Sequence, residues 1–252
     1  IVLSWPTPRG FYLYKKVILM ENTAILVDGA FFIKRALHIF GPLSPEELAN
    51  KLVEFSVKHT VFNSAHNRLY RIFFYDCPPL QSKVFHPYLQ KQIDMAKSER
   101  SLWRLQLHDA LRQKRKMALR LGHIDDVNVT WSINYRKIKK LCSGSISWNE
   151  LVEEDFIMDV KQKGVDMRIG IDITSLALKK QVTQIVLISG DSDFVPAAKF
   201  ARREGIDFIL DPMWAPIKSD LHEHIDGLRS TFPRPGVCKG QQLANIDKLR
   251  ND

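Results

Sequence analysis

The sequence predicts an α/β fold: a mainly parallel sheet with helices on both faces. Three observations carry this expectation. Short apolar, β-branched runs recur along the chain, and helical stretches separate them. The strongest run, Gln184-Ile-Val-Leu-Ile188, has no polar interruption after its first residue, the pattern of a strand buried on both faces.

The elements follow in order. Thr23-Ala-Ile-Leu-Val27 reads as a buried strand that ends in a tight turn at Asp28-Gly29. Ser44-Pro45-Glu46-Glu47 starts a helix running to about His59: serine caps it, proline takes its first position, and the acids face its positive end. Leu69 to Tyr75 is the second strand, closed by Asp76 and broken by Pro78-Pro79. From Tyr88 to Leu121 the pattern is helical, with Leu102, Leu105, Leu111, Ala118 and Leu119 at apolar positions. This stretch belongs to a basic helical elaboration spanning about residues 86–160. Within it, Val127 to Ile133 alternates as a strand, and Trp148 to Val160 reads as one or two short helices.

Gly164-Val-Asp166 opens a helix to about Lys180. The strong strand ends in Ser189-Gly-Asp-Ser-Asp193, and a helix from Phe194 to Glu204 is closed by Gly205. Ile206 to Leu210 is the last strand, and Lys218 to Leu228 the final helix. Residues 20–230 thus form one domain, residues 1–19 read as upstream sequence because Met20 looks like a natural start, and residues 231–252 read as a loose polar tail.

The charge balance bears on partners. Lys and Arg number 37 against 28 Asp and Glu, a formal charge of +9 that favours polyanions through release of their counterions. Three cysteines, Cys77, Cys142 and Cys238, form no CxxC pair, which points to a reducing, cytoplasmic setting and against a disulfide framework or structural zinc. No apolar run reaches the roughly 18 residues of a membrane span.

Three strands end in aspartate: Asp28, Asp76, and Asp191 with Asp193. Ligands of open parallel sheets bind beyond the carboxyl ends of the strands, so these acids face the expected crevice. Clustered carboxylates raise one another's pKa unless a cation neutralises them, and all-oxygen sets suit Mg²⁺ or Mn²⁺. On the helix opening at Gly164, Val165, Ile169, Asp172 and Leu176 fall near one face with Asp166 beside it; an acid within an apolar stripe needs a hydrogen bond or a cation.

Lys163-Gly-Val-Asp166, the following Ile171-Asp172, and Ile188-Ser-Gly-Asp-Ser-Asp-Phe194 together resemble NYN domains, a branch of the PIN-like nuclease superfamily. Val27-Asp-Gly29 fits that family's first acidic motif. The resemblance spans about residues 22–229. It implies a Rossmann-like (PIN-like) sheet and metal-dependent hydrolysis of phosphodiester bonds, most readily in RNA with DNA as a second possibility. It also implies Asp28, Asp166, Asp191 and Asp193 as catalytic residues and metal ligands, with Asp172 as a fifth ligand or a supporting residue. Many relatives carry Asn three residues after the first Asp, where Phe31 stands here.

Lys163 is a candidate phosphate contact. Arg112, Lys114, Arg115 and Lys116, with Arg136, Lys137, Lys139 and Lys140, form the expected track for nucleic acid, and Trp103 and Trp131 lie near these charges. The alternative is a PIN-like module that has lost turnover and binds RNA or a protein partner; homo-oligomerisation stays open. A haloacid dehalogenase-type phosphatase needs a second Asp where Ala30 stands, and no GxGxxG follows the first strand for a dinucleotide.

Overall fold

In strand β1 (Asn22–Asp28), Ala24 and Leu26 point to one face of a sheet while Ile25 and Val27 point to the other, and all four are fully buried. The computed structural model describes residues 21–62 and 65–236; the upstream segment and the tail beyond residue 236 lie outside them. After β1 come α1 (Gly29–Phe40), α2 (Pro45–Lys58), β2 (Val61–Phe62), β3 (Ala65–His66), β4 (Arg68–Asp76), β5 (Lys83–His86) and β6 (Lys91–Asp94). Then follow α3 (Glu99–Arg112), β7 (Met117–Leu121), β8 (His123–Ile124), β9 (Thr130–Ile133), α4 (Tyr135–Cys142), β10 (Phe156–Asp159) and β11 (Gln162–Lys163). The chain continues through α5 (Val165–Leu178), β12 (Gln184–Ile188), α6 (Val195–Arg203), β13 (Asp207–Asp211), α7 (Ser219–His222) and β14 (Gly227–Leu228).

Six strands form the central sheet in the order β14-β13-β12-β1-β4-β7, every pair parallel. From β1 the chain moves outward through β4 to β7, returns to β12 on the other side of β1, and moves outward again through β13. The order therefore reverses between β1 and β12, and open parallel sheets place their ligand crevice at the carboxyl ends flanking such a reversal. One layer packs Phe32 and Ile39 of α1, Leu52 of α2 and Leu107 of α3 against Ile25, Phe74 and Ile188. The opposite layer packs Ile169 and Ile173 of α5 and Ala198 of α6 against Leu26, Leu187 and Phe208. This is the expected sheet with helices on both faces.

Local signals place α2 where the sequence does: Ser44 and Glu47 close a reciprocal capping box, with Pro45 at the first position. Other expectations need correction. The turn after Asp28 is the start of the twelve-residue helix α1. The helical stretch expected from Tyr88 to Leu121 resolves into the second strand of the β5–β6 hairpin, α3 and strand β7. Lys116 adopts φ 62°, turning the chain so that Met117–Leu121 pairs with β4. Leu119 then packs with the first layer and Ala118 with the second, so a strand alternation sits inside apparent helical spacing.

Residues 148–160 hold two short 3₁₀ turns and β10, which pairs with β9. Of the final expected helix only Ser219–His222 is helical, and Gly227–Leu228 joins the sheet beside β13. The tail is not loose at its start: Phe232 is buried against Phe32 and Phe55, and Thr231 Oγ1 donates to the Phe55 carbonyl at 2.9 Å.

Candidate active site

The carboxyl ends of β1 and β12 are tied together by one hydroxyl. Ser189, fully buried just after β12, donates from Oγ to Asp28 Oδ2 at 3.4 Å and accepts from the Asp191 N–H at 3.2 Å. Asp28 also caps α1, its Oδ1 accepting from the Phe31 N–H at 3.1 Å. Asp191 caps the following 3₁₀ turn by accepting from the Asp193 N–H at 3.1 Å. Between them Gly190 lies under the Phe31 ring, where an added Cβ would meet Cε2 at 2.9 Å. Glycine lets the turn pass this close.

Asp166 reaches the same edge from the other layer. Gly164 takes φ 81°, a left-handed conformation that turns the chain from β11 into the first turn of α5. Desolvation raises the pKa of Asp166, and the charges of Asp191 and Asp193 raise it further. Burial likewise raises Asp28; the Phe31 N–H opposes that shift, and the Asp166 charge adds to it. Asp166 thus lies within electrostatic reach of Asp28 on one side and of Asp191 and Asp193 on the other, at the β1–β12 crevice.

Asp172 is engaged elsewhere. Its Oδ2 accepts from the Tyr75 hydroxyl at 2.8 Å and lies 3.3 Å from Arg120 Nε, clamping α5 to β4 and β7. Burial and this carboxylate push the Tyr75 phenol well above its ordinary range. Asp76, at the end of β4, is fully buried and held by Arg104 at 2.6 Å and His108 at 2.7 Å. Asp211, at the end of β13, is also fully buried, bonded to His59 at 2.8 Å and to the Met213 N–H at 2.8 Å. These two strand-end acids are satisfied internally, so their position alone does not mark them as part of the crevice cluster.

The basic residues divide by edge. Arg112, Lys114, Arg115 and Lys116 immediately precede β7 and therefore lie at the amino end of the sheet. That is roughly 17 Å, five strand residues, from the edge bearing the carboxylates. Arg112 pairs with Asp109, Lys114 with Glu46, and the Lys116 ammonium donates to the Leu69 carbonyl. The expected single track is therefore split, because the turn at Lys116 reverses the chain.

Arg136, Lys137, Lys139 and Lys140 sit on α4 within the insertion that leaves the sheet at its carboxyl edge, between β8 and β11. Lys137 pairs with Asp155 at 3.1 Å and Lys139 stacks over the Tyr135 ring, whereas Arg136 and Lys140 are exposed. Lys163 pairs with Asp125 at 2.6 Å and holds that carboxyl well below its usual range. Two contributors escaped the sequence reading. Ser189 looked like a turn former, and Lys218, which donates to Ser192 Oγ at 3.1 Å, looked like an ordinary helix start.

Residues 131–220 match the NYN domain. NYN domains are members of the PIN-like nuclease superfamily. The NYN match carries Asp166, Asp172, Asp191 and Asp193, while Asp28 lies outside it on the central strand. A solved structure of a protein of unknown function from Vibrio parahaemolyticus is similar at 14% identity and TM-score 0.45, covering 85% of this chain and 95% of that one. No curated protein matches the sequence.

The donor chemistry of the crevice acids bears on whether they suit a metal. Among the described residues, no group of three or more His, Cys, Asp or Glu side chains is placed to hold a metal ion. The crevice instead offers oxygen donors alone, with Asp28 and Asp166 raised in part by neighbouring carboxylates. All-oxygen donors are the kind that Mg²⁺ or Mn²⁺ takes, since these ions can bind through one or two carboxylates and keep several waters.

Proposed function

We propose that this chain is a divalent-metal-dependent nuclease that hydrolyses phosphodiester bonds in RNA, with Asp28, Asp166, Asp191 and Asp193 holding Mg²⁺ or Mn²⁺. The observation that carries this reading is the gathering of acids where the strand order reverses: Ser189 bonds both Asp28 and the Asp191 N–H, and Asp166 feels the charges of Asp28, Asp191 and Asp193. The NYN match over residues 131–220 supports it independently. When bound, the ion neutralises the phosphate and readies a water for attack.

The chain's own residues set the stage for that chemistry. Ser189 keeps the Asp28 and Asp191 ends in register, and Gly190 leaves room for Phe31 beside them. Lys218 steadies the rim through Ser192. The exposed Arg136 and Lys140 on the insertion offer charge to an approaching phosphate backbone. Among the described residues no helix is long and apolar enough to cross a membrane, and Cys77 and Cys142 form no disulfide.

Phe31 favours a second reading, a binding module without turnover, because it stands where many relatives carry Asn. Incubating single-stranded RNA with Mg²⁺, Mn²⁺ or EDTA separates the two. Cleavage with an ion and none with EDTA is the expected result. RNA that is bound but left intact with both ions would establish the binding module instead.

A further inference from the structure

A cavity of about 720 Å³ opens beside the carboxylate edge, between α1, the loop after β4, α3 and the insertion. Its walls are largely apolar, with Ile33, Leu37, Leu43, Pro79, Trp103 and Met158 among them. Two of its borders are continuous with the carboxylate cluster. Ala30 is the second residue after Asp28, and Gln162 is the fourth before Asp166. Cα atoms two residues apart lie within about 7 Å, so the cavity begins a single nucleotide's reach from the cluster.

Its polar groups are placed for a nucleotide. Lys34, Arg100 and Gln162 line it, are exposed, and make no ion pair or side-chain hydrogen bond among the described residues. The two cations complement a phosphate, and the Gln162 amide can read a base edge. Trp103 is fixed by donating from Nε1 to the Leu43 carbonyl at 3.1 Å. Arg104 is anchored to buried Asp76, so the Asp76–Arg104–His108 network braces the α3 wall. Cavities of this size and apolar lining, with few convergent polar groups, suit small planar ligands.

We propose that this cavity is a base-binding subsite, holding the nucleobase adjacent to the phosphate that the carboxylates engage. The subsite rests on the nuclease reading for its orientation, since that reading places a phosphate at the cluster. A base held against apolar and aromatic walls contributes about tenfold or more to affinity. The cavity thereby sets which nucleotide sits at the cut, and the basic residues before β7 play no part in it.

The test uses a twelve-nucleotide oligouridylate carrying one 4-thiouridine, irradiated with the full chain in Mn²⁺ at low temperature, because the carboxylates would engage the phosphate only through an ion. Adducts are mapped to peptides, and cleavage with Mn²⁺ is measured in parallel. Adducts on residues 95–104 or 158–162 are expected. Leu37→Trp, at a position 56% exposed and therefore lightly coupled to the core, should narrow the cavity and lower both the adduct yield and the affinity about tenfold. An oligonucleotide with an abasic site should lose the same factor on the wild-type protein, a comparison that needs no variant.

Adducts confined to other peptides would overturn the subsite while leaving Mn²⁺-dependent cleavage, and hence the nuclease reading, intact. Adducts at the cavity without cleavage by either ion would uphold base binding and overturn the nuclease reading. RNA that neither binds nor cross-links would overturn the subsite.

Discussion

Asp76 ends one strand of the central sheet and Asp191 follows another, yet they should respond in opposite ways to loss of charge. Asp76 is fully buried between Arg104 and His108, so Asp76→Asn strips a counter-charge from a desolvated pair. Breaking a buried pair costs about 3–5 kcal/mol, and the lower end applies because the Arg104 side chain is 17% exposed and can turn toward solvent. At roughly 2–4 °C per kcal/mol for a chain of this size, the melting temperature should fall by about 6–12 °C.

Asp191 is exposed, and an asparagine Oδ1 can still accept from the Asp193 N–H. Asp191→Asn should therefore change stability by less than about 0.5 kcal/mol while abolishing metal-dependent cleavage. Calorimetry in EDTA reads the first effect, and RNA cleavage with Mn²⁺ the second. Equal destabilisation by the two substitutions, or an unchanged melting temperature in Asp76→Asn, would refute this separation of structural from functional aspartates.

Other outcomes follow from the same geometry. Burial and the Asp166 charge raise the Asp28 pKa, so its ionised form burdens the folded state above that raised pKa and the burden vanishes below the unfolded value. In EDTA, Asp28→Asn should accordingly raise stability at neutral pH, with the gain disappearing on acidification through the carboxylate range; a gain independent of pH would count against it. Gly190→Ala should cost about 1–3 kcal/mol by driving a methyl into the Phe31 ring, and Phe31→Ala should restore much of the loss in a double-mutant cycle. Replacing Arg112, Lys114, Arg115 and Lys116 by Gln should leave the salt dependence of RNA binding unchanged. Replacing Arg136 and Lys140 should flatten it by about 0.7 in log–log slope per lost phosphate contact; the reverse pattern would put the RNA path on the opposite edge.

The parts of the molecule that were legible in the sequence are those specified locally. Gln184–Ile188 declares a central strand because both its faces are buried, and Ser44 with Glu47 declares a helix start because the two residues bond each other. The position of Asp28, Asp166, Asp191 and Asp193 at one edge was legible because each lies at the end of an element and the resemblance names the same four; their role is the proposal above. What stayed hidden depends on long-range pairing.

Strand β7 exists because Met117–Leu121 docks beside β4, an interaction no local periodicity records, and missing it put four basic residues on the wrong edge. The histidines that satisfy Asp76 and Asp211 come from residues 32 and 152 positions away along the chain. Asp172 is a ligand candidate by helical position and by the resemblance; Tyr75 and Arg120, which engage it, come from strands far away in sequence.

The most direct measurement replaces a non-bridging oxygen of the scissile RNA phosphate with sulfur and follows cleavage in each ion. Sulfur is a poor ligand for Mg²⁺ and a better one for the softer Mn²⁺. If an ion held by Asp28, Asp166, Asp191 and Asp193 contacts that phosphate, the substitution should slow cleavage strongly in Mg²⁺, Mn²⁺ should restore it, and Asp191→Asn should remain inactive in both. Cleavage that persists in EDTA, or a sulfur effect of the same size in both ions, would contradict a metal-dependent site at these carboxylates.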